Sequence, residues 1–273
     1  MTNITRTILT ALIIMLAATA ARAAKVDTLS VYSQKMKRSL STIVYTPDAA
    51  GEAKYPVIYL LHGYSGNSTT WPGITDVARL ADTYRTIIVC PDGQNSWYVD
   101  SPVDPSMQFE TFISKELPEY IDAHYPTYAR RELRAITGLS MGGAMWNGLQ
   151  HPDVFGNIGT TSGCMDICQY PNCWQIEKVL GNMFQNETVW KSHSVYYSLD
   201  RLLGSRQNII IDCGYSDFFY PVNLQTHKRL RELNVKHDFY VRPGGHTGDY
   251  WHNSIDYQIM FFAKQFDKVL NEK

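Results

Sequence analysis

Short apolar runs alternate along the chain with longer segments in which apolar residues recur every three or four positions. Val57-Ile58-Tyr59-Leu60-Leu61 and Ile209-Ile210-Ile211 are continuously apolar. That pattern suits strands covered on both faces, as in a parallel sheet. The runs predict strands over 39–45, 57–61, 86–90, 134–138, 158–162, 208–213 and 237–241. Helical periodicity predicts helices over 74–83, 109–124, 141–150, 223–233 and 255–271. In the last of these, Ile255, Ile259, Phe262, Phe266 and Leu270 form one apolar stripe. Strands alternating with helices predict an α/β fold, a mostly parallel central sheet with helices on both faces. Residues 164–206 are less regular and are read as a cap or loop over one end. With no repeat and no Gly/Ser/Pro-rich linker, residues 24–273 are expected to form one catalytic domain.

The first residues follow a different plan. Arg6 precedes an apolar run from Ile8 to Ala18, and Ala21-Arg22-Ala23 fits a small-x-small cleavage site. Residues 1–23 are therefore read as a secretory signal peptide. The apolar run falls short of the roughly 20 residues that span a bilayer. An exported protein, periplasmic or extracellular, with no stable membrane association after cleavage is expected. Composition narrows the field further. Of 273 residues, 44% are hydrophobic and 19% charged, which excludes disordered and coiled-coil classes. The 25 basic and 26 acidic residues give a net charge of −1, with no basic field to hold nucleic acid.

Export would permit disulfides among Cys90, Cys164, Cys168, Cys173 and Cys213. A Cys168–Cys173 closure is one candidate, with Cys164 competing for the same partners. C-x3-C-x4-C without a nearby His is a poor zinc pattern. Cys90 and Cys213 end apolar runs and read as buried free thiols.

The most informative stretch is Ile136-Thr137-Gly138-Leu139-Ser140-Met141-Gly142-Gly143. It places G-x-S-x-G between a predicted strand and a predicted helix, the setting of a nucleophile elbow. A serine hydroxyl is a weak nucleophile until a base takes its proton. His246, in Pro243-Gly244-Gly245-His246-Thr247 after the strand ending at Val241, is the candidate base. His252 competes but falls near the last helix. For the orienting acid, Ile211-Asp212-Cys213-Gly214-Tyr215-Ser216-Asp217 offers Asp212 and Asp217. Asp217 is preferred because a loop carboxylate can reach the imidazole, with Asp212 read as a structural loop-capping residue. The backbone N–H groups of Met141 and Tyr64 are the candidate oxyanion hole, the latter in the loop Leu61-His62-Gly63-Tyr64. His62 is read as bracing that loop. No metal or cofactor is implied.

The chain resembles the esterase D family of α/β-hydrolases. That group includes tributyrin-type esterases, S-formylglutathione hydrolases, family 1 carbohydrate esterases and mycolyltransferases. The likeness rests on Leu61-His62-Gly63-Tyr64, Pro91-Asp92-Gly93, Ser96 through Pro102, Gly138 through Gly143, Asp212 through Asp217, and Gly244-Gly245-His246 with Tyr250-Trp251. The resemblance implies Ser140, Asp217 and His246 as the triad and Tyr64 and Met141 as the oxyanion hole. The cysteines from Cys164 to Cys173 depart from the pattern.

A serine carboxylic-ester hydrolase working through an acyl-enzyme is expected. The leading substrate reading is a carbohydrate esterase releasing feruloyl or acetyl groups from plant polysaccharide. Trp71, Trp97, Tyr98 and Trp251 are the candidate substrate-stacking residues. A general short-chain acyl esterase is the alternative. An S-formylglutathione hydrolase works in the cytosol, which the leader argues against. A non-catalytic carbohydrate-binding relative would not need all three triad residues.

Overall fold

In the computed structural model, residues 23–48, 53–143 and 145–272 are described. The predicted leader, apart from Ala23, lies outside them. Eight strands form one sheet: β1 (Lys25–Ser33), β2 (Arg38–Thr46), β3 (Val57–Leu61), β4 (Ile87–Pro91), β5 (Arg134–Gly138), β6 (Asn157–Thr161), β7 (Asn208–Gly214) and β8 (Asp238–Arg242). Their order is β1-β2-β4-β3-β5-β6-β7-β8. β1 and β2 are antiparallel to each other, and β2 is antiparallel to β4; from β4 to β8 every pairing is parallel.

The apolar runs explain the layering. Side chains alternate across a strand, so Val57, Tyr59 and Leu61 of β3 enter one core while Ile58 and Leu60 enter the other. Ile209 and Ile211 of β7 likewise face away from Ile210. Helices α1 (Val77–Tyr84) and α5 (Gly248–Asn271) cover one face. Helices α2 (Leu117–His124), α3 (Met145–Gln150) and α4 (Tyr220–Glu232) cover the other. The α5 stripe buries Ile255, Ile259, Phe262 and Phe266, while Leu270 in the last turn is exposed.

Several boundaries differ from the sequence reading, each for a local reason. β1 is an additional strand: it lies at the sheet edge, half exposed, and carries no continuous apolar run. The helix expected over 74–83 is divided. A short turn ends at Ile74, and Asp76 caps α1 by accepting the Arg79 N–H. The helix expected over 109–124 passes through a π turn at Phe112–Glu116. The one expected from 141 begins at Met145, because Ser140–Gly142 forms a 3-10 turn. The last helix starts seven residues earlier than predicted, at Gly248, where the Thr247 hydroxyl accepts the Tyr250 N–H. Residues 164–206 are more than a cap. Ile176, Val179, Leu180, Trp190 and Leu199 are buried within the core on the α2–α4 face.

Candidate active site

Leu61 of β3 pairs with Gly138 of β5 in parallel register. The loops leaving these strands therefore emerge side by side at the carboxyl end of the sheet. Ser140 sits at the turn after β5 with φ 55°, a left-handed conformation. Space, not sequence preference, forces it. A Cβ at Gly138 would lie 2.6 Å from the Leu61 carbonyl oxygen, and one at Gly142 would lie 2.9 Å from the His62 carbonyl oxygen. Only glycine lets the turn press this closely on the neighbouring loop. The turn is closed by the Gly142 N–H donating to the Leu139 carbonyl at 2.7 Å.

The loops after β7 and β8 reach this serine. His246 Nε2 lies 2.9 Å from Ser140 Oγ, and His246 Nδ1 lies 2.9 Å and 3.1 Å from the two oxygens of Asp217. The Asp217 carboxylate is fully buried and also accepts the Phe219 N–H at 2.8 Å. A proton on Nδ1 faces the carboxylate, which leaves Nε2 to accept from the serine hydroxyl. Asp212 takes no part in this chain: it is buried beneath the loops and bonded to Arg242, Tyr250 and Ser254. His252 is also elsewhere, on α5 with Nδ1 at 2.8 Å from the Ile74 carbonyl.

The loop after β3 passes beside the serine, since a Cβ on Gly63 would be 3.3 Å from Ser140 Cβ. His62 braces it. The ring nitrogens lie 2.7 Å from the Gly63 carbonyl through Nδ1 and 2.8 Å from the Gly93 N–H through Nε2. Among the described residues, the surrounding turns engage neither the Tyr64 nor the Met141 N–H.

Cys90, Cys164, Cys168 and Cys213 are poor rival nucleophiles. Cys90, Cys164, Cys168, Cys173 and Cys213 are free thiols, so the candidate Cys168–Cys173 closure is not formed. Burial, then the nearby Asp166, pushes the Cys168 thiol up to about 12, and burial raises Cys164 and Cys213. A thiol raised this far is not a thiolate near neutral pH.

Residues 33–262 match the family model described as "Putative esterase". The chain belongs to this esterase family. It is similar to an acetyl esterase of Caldicellulosiruptor saccharolyticus, 25% identical over 88% of this chain and 98% of that protein. A solved ferulic acid esterase is 29% identical with a TM-score of 0.77, covering 90% of this chain and 100% of the other. The fluorophosphonate-binding serine hydrolase F of Staphylococcus aureus, 23% identical, shares the fold at a TM-score of 0.79 over 89% and 99% of the two chains. The chain is thus a serine esterase with the α/β-hydrolase fold.

The four aromatics expected to stack on substrate fare differently in this esterase. Trp71 is 1% exposed and donates its indole N–H to the Leu61 carbonyl at 2.8 Å, so it packs beneath the loop. Tyr98 is 1% exposed, with its hydroxyl bonded to the backbone of His62. Neither forms a wall of the cleft, because both rings point into the core. Trp97 is 7% exposed and donates to the Trp174 carbonyl at 3.3 Å; it props the irregular segment from behind. Trp251 does reach the site, edge-on to His246 at 4.9 Å.

The sequence reading missed a second aromatic contact of His246, made by Phe218 and backed by Trp174. Phe218 is 50% exposed with its ring 4.3 Å from the imidazole, and Trp174 stacks on it at 5.8 Å. Its one sequence signal was adjacency: Phe218 directly follows Asp217. Trp71→Phe is expected to lower unfolding free energy by about 1–3 kcal/mol while leaving KM unchanged. Denaturant titration and steady-state kinetics check this; a raised KM at full stability would return Trp71 to the cleft.

Proposed function

We propose that this esterase works through an acyl-enzyme on Ser140. The observation that carries the reading is the unbroken chain Ser140 Oγ–His246–Asp217, closed at 2.9 Å on both sides of the imidazole. His246 Nε2 takes the Ser140 proton as Oγ adds to the ester carbonyl carbon. The Tyr64 and Met141 N–H groups receive the carbonyl oxygen as it becomes negative, each donor lowering the barrier by on the order of 3 kcal/mol. Asp217 holds the imidazolium in place. The tetrahedral intermediate collapses, the C–O bond breaks, and the alcohol leaves with the proton from Nε2. Water then gives its proton to His246 and adds to the acyl carbon. Collapse releases the carboxylic acid and returns the proton to Ser140.

The proposed substrates are feruloyl or acetyl esters of plant polysaccharide. Two observations support this: the likeness to an acetyl esterase and a ferulic acid esterase, and the Phe218–Trp174 surface, flat and apolar enough for an aryl or sugar ring. The test compares kcat/KM for methyl ferulate and p-nitrophenyl acetate, with Ser140→Ala as background. Ser140→Ala should lower kcat roughly 10^4- to 10^6-fold with folding retained. A ratio near or above one favours the feruloyl ester, and a ratio far below one the acetyl or small general ester. Wild-type turnover by Ser140→Ala would contradict the mechanism, and no turnover by the native chain would point to a binding module.

The proposed place of action is outside the cytosol. The support is the leader pattern of Arg6, the apolar run and Ala21-Arg22-Ala23. Amino-terminal sequencing of protein recovered from the periplasm or medium should then begin at Ala24. A chain that keeps residues 1–23 and stays in the cytosol would overturn the export reading.

A further inference from the structure

Asp212 is a buried carboxylate that the reaction does not use. It is 1% exposed. One oxygen accepts the Tyr250 hydroxyl at 2.6 Å and the Ser254 hydroxyl at 2.8 Å, with the Thr161 hydroxyl at 3.4 Å; the other accepts Arg242. One carboxylate thus ties together β6, β7, β8 and α5. A buried ion pair is weak evidence for stability, because desolvation offsets most of the attraction. Its value lies in where it holds its partners.

Tyr250 is the informative partner. Its ring lies against Gly244, where an added Cβ would sit 2.4 Å from Tyr250 Cδ2, and Gly244 has φ 137°. From the other side, the Gly244 carbonyl accepts the Ser216 N–H at 2.9 Å. Gly244 is therefore clamped between Tyr250 and the residue before Asp217, two positions ahead of His246. Burial, and then the Asp212 charge, hold the Tyr250 phenol far above its ordinary value, so it stays a proton donor.

We propose that Asp212 and Tyr250 are positioning residues for the catalytic base: through Gly244 they fix the loop of His246 against the loop of Asp217. Neither touches the reacting atoms. Ser254 binds the same carboxylate but has no contact with Gly244 among those that clamp it, which makes it the internal control. The inference rests on His246 acting as base and Asp217 as its orienter.

The test pairs Tyr250→Phe with Ser254→Ala, measuring kcat, KM and the thermal midpoint on p-nitrophenyl acetate. Each variant removes one hydroxyl from Asp212, and both should melt a few degrees earlier, roughly as one lost hydrogen bond implies. Tyr250→Phe should lower kcat about ten-fold at unchanged KM, because a displaced base weakens the transition state and not substrate binding. Ser254→Ala should stay within about two-fold of wild-type kcat. Wild-type kcat in Tyr250→Phe, a loss confined to KM, or an equal kcat loss in Ser254→Ala would each overturn the proposal. His246→Ala separates the two levels. If it keeps wild-type kcat, the base assignment itself fails; if it is inactive while Tyr250→Phe is not impaired, only the positioning role fails.

Discussion

Ser140 occupies a left-handed backbone conformation that a non-glycine residue adopts at a cost of order 1–2 kcal/mol. The residue does not hold itself there. The parallel pairing of β3 with β5, Leu61 opposite Gly138, brings the two exit loops into contact. The glycines at 138 and 142 then allow an approach that any side chain would block. The strain at Ser140 is thus carried by the sheet register. The same register brings the Gly63–Tyr64 segment alongside the serine, so candidate nucleophile and candidate oxyanion donor are set by a single strand pairing.

The candidate base and its candidate acid partner arrive by the same rule from further along the sheet. β7 and β8 are also parallel, with Gly214 opposite Arg242, and their exit loops carry Asp217 and His246. Parallel strands gather their carboxyl-end loops on one side of the sheet, where such folds hold their sites. Two apolar cores, one on each face, pack the sheet that carries these loops. Beneath the loops, two buried polar side chains are paired at both of their polar atoms. His62 uses both ring nitrogens, and Asp212 draws donors from three elements, β6, β8 and α5.

The parts of this arrangement that were legible in the sequence are those set by local pattern. Continuous apolar runs marked β3 and β7, because a strand covered on both faces has no polar side. Ser140 was marked by glycines at fixed offsets and His246 by its loop after a predicted strand, while Asp217 was one of two candidate acids, favoured chiefly by the family resemblance; the structure brings all three together. What was not legible depends on distant packing. β1 buries alternate residues, but its inward set includes Asp27 and Ser33 and its outward set Val26 and Tyr32, so the sequence shows no clean alternation. Trp71 and Tyr98 looked like cleft aromatics by their place in the chain, yet both are buried by the loops that their polar atoms hold. Phe218 and Trp174 lie 44 residues apart in sequence and meet only through the folded irregular segment.

The most direct test of the mechanism is covalent trapping. The wild-type protein and His246→Ala would be treated with a fluorophosphonate, and the adduct located by intact mass and peptide mapping. One adduct per chain on Ser140, formed far more slowly in His246→Ala, is the expected result. An adduct on another residue, such as Ser162 at the end of β6, or equal labelling in the two proteins, would contradict a Ser140 nucleophile activated by His246.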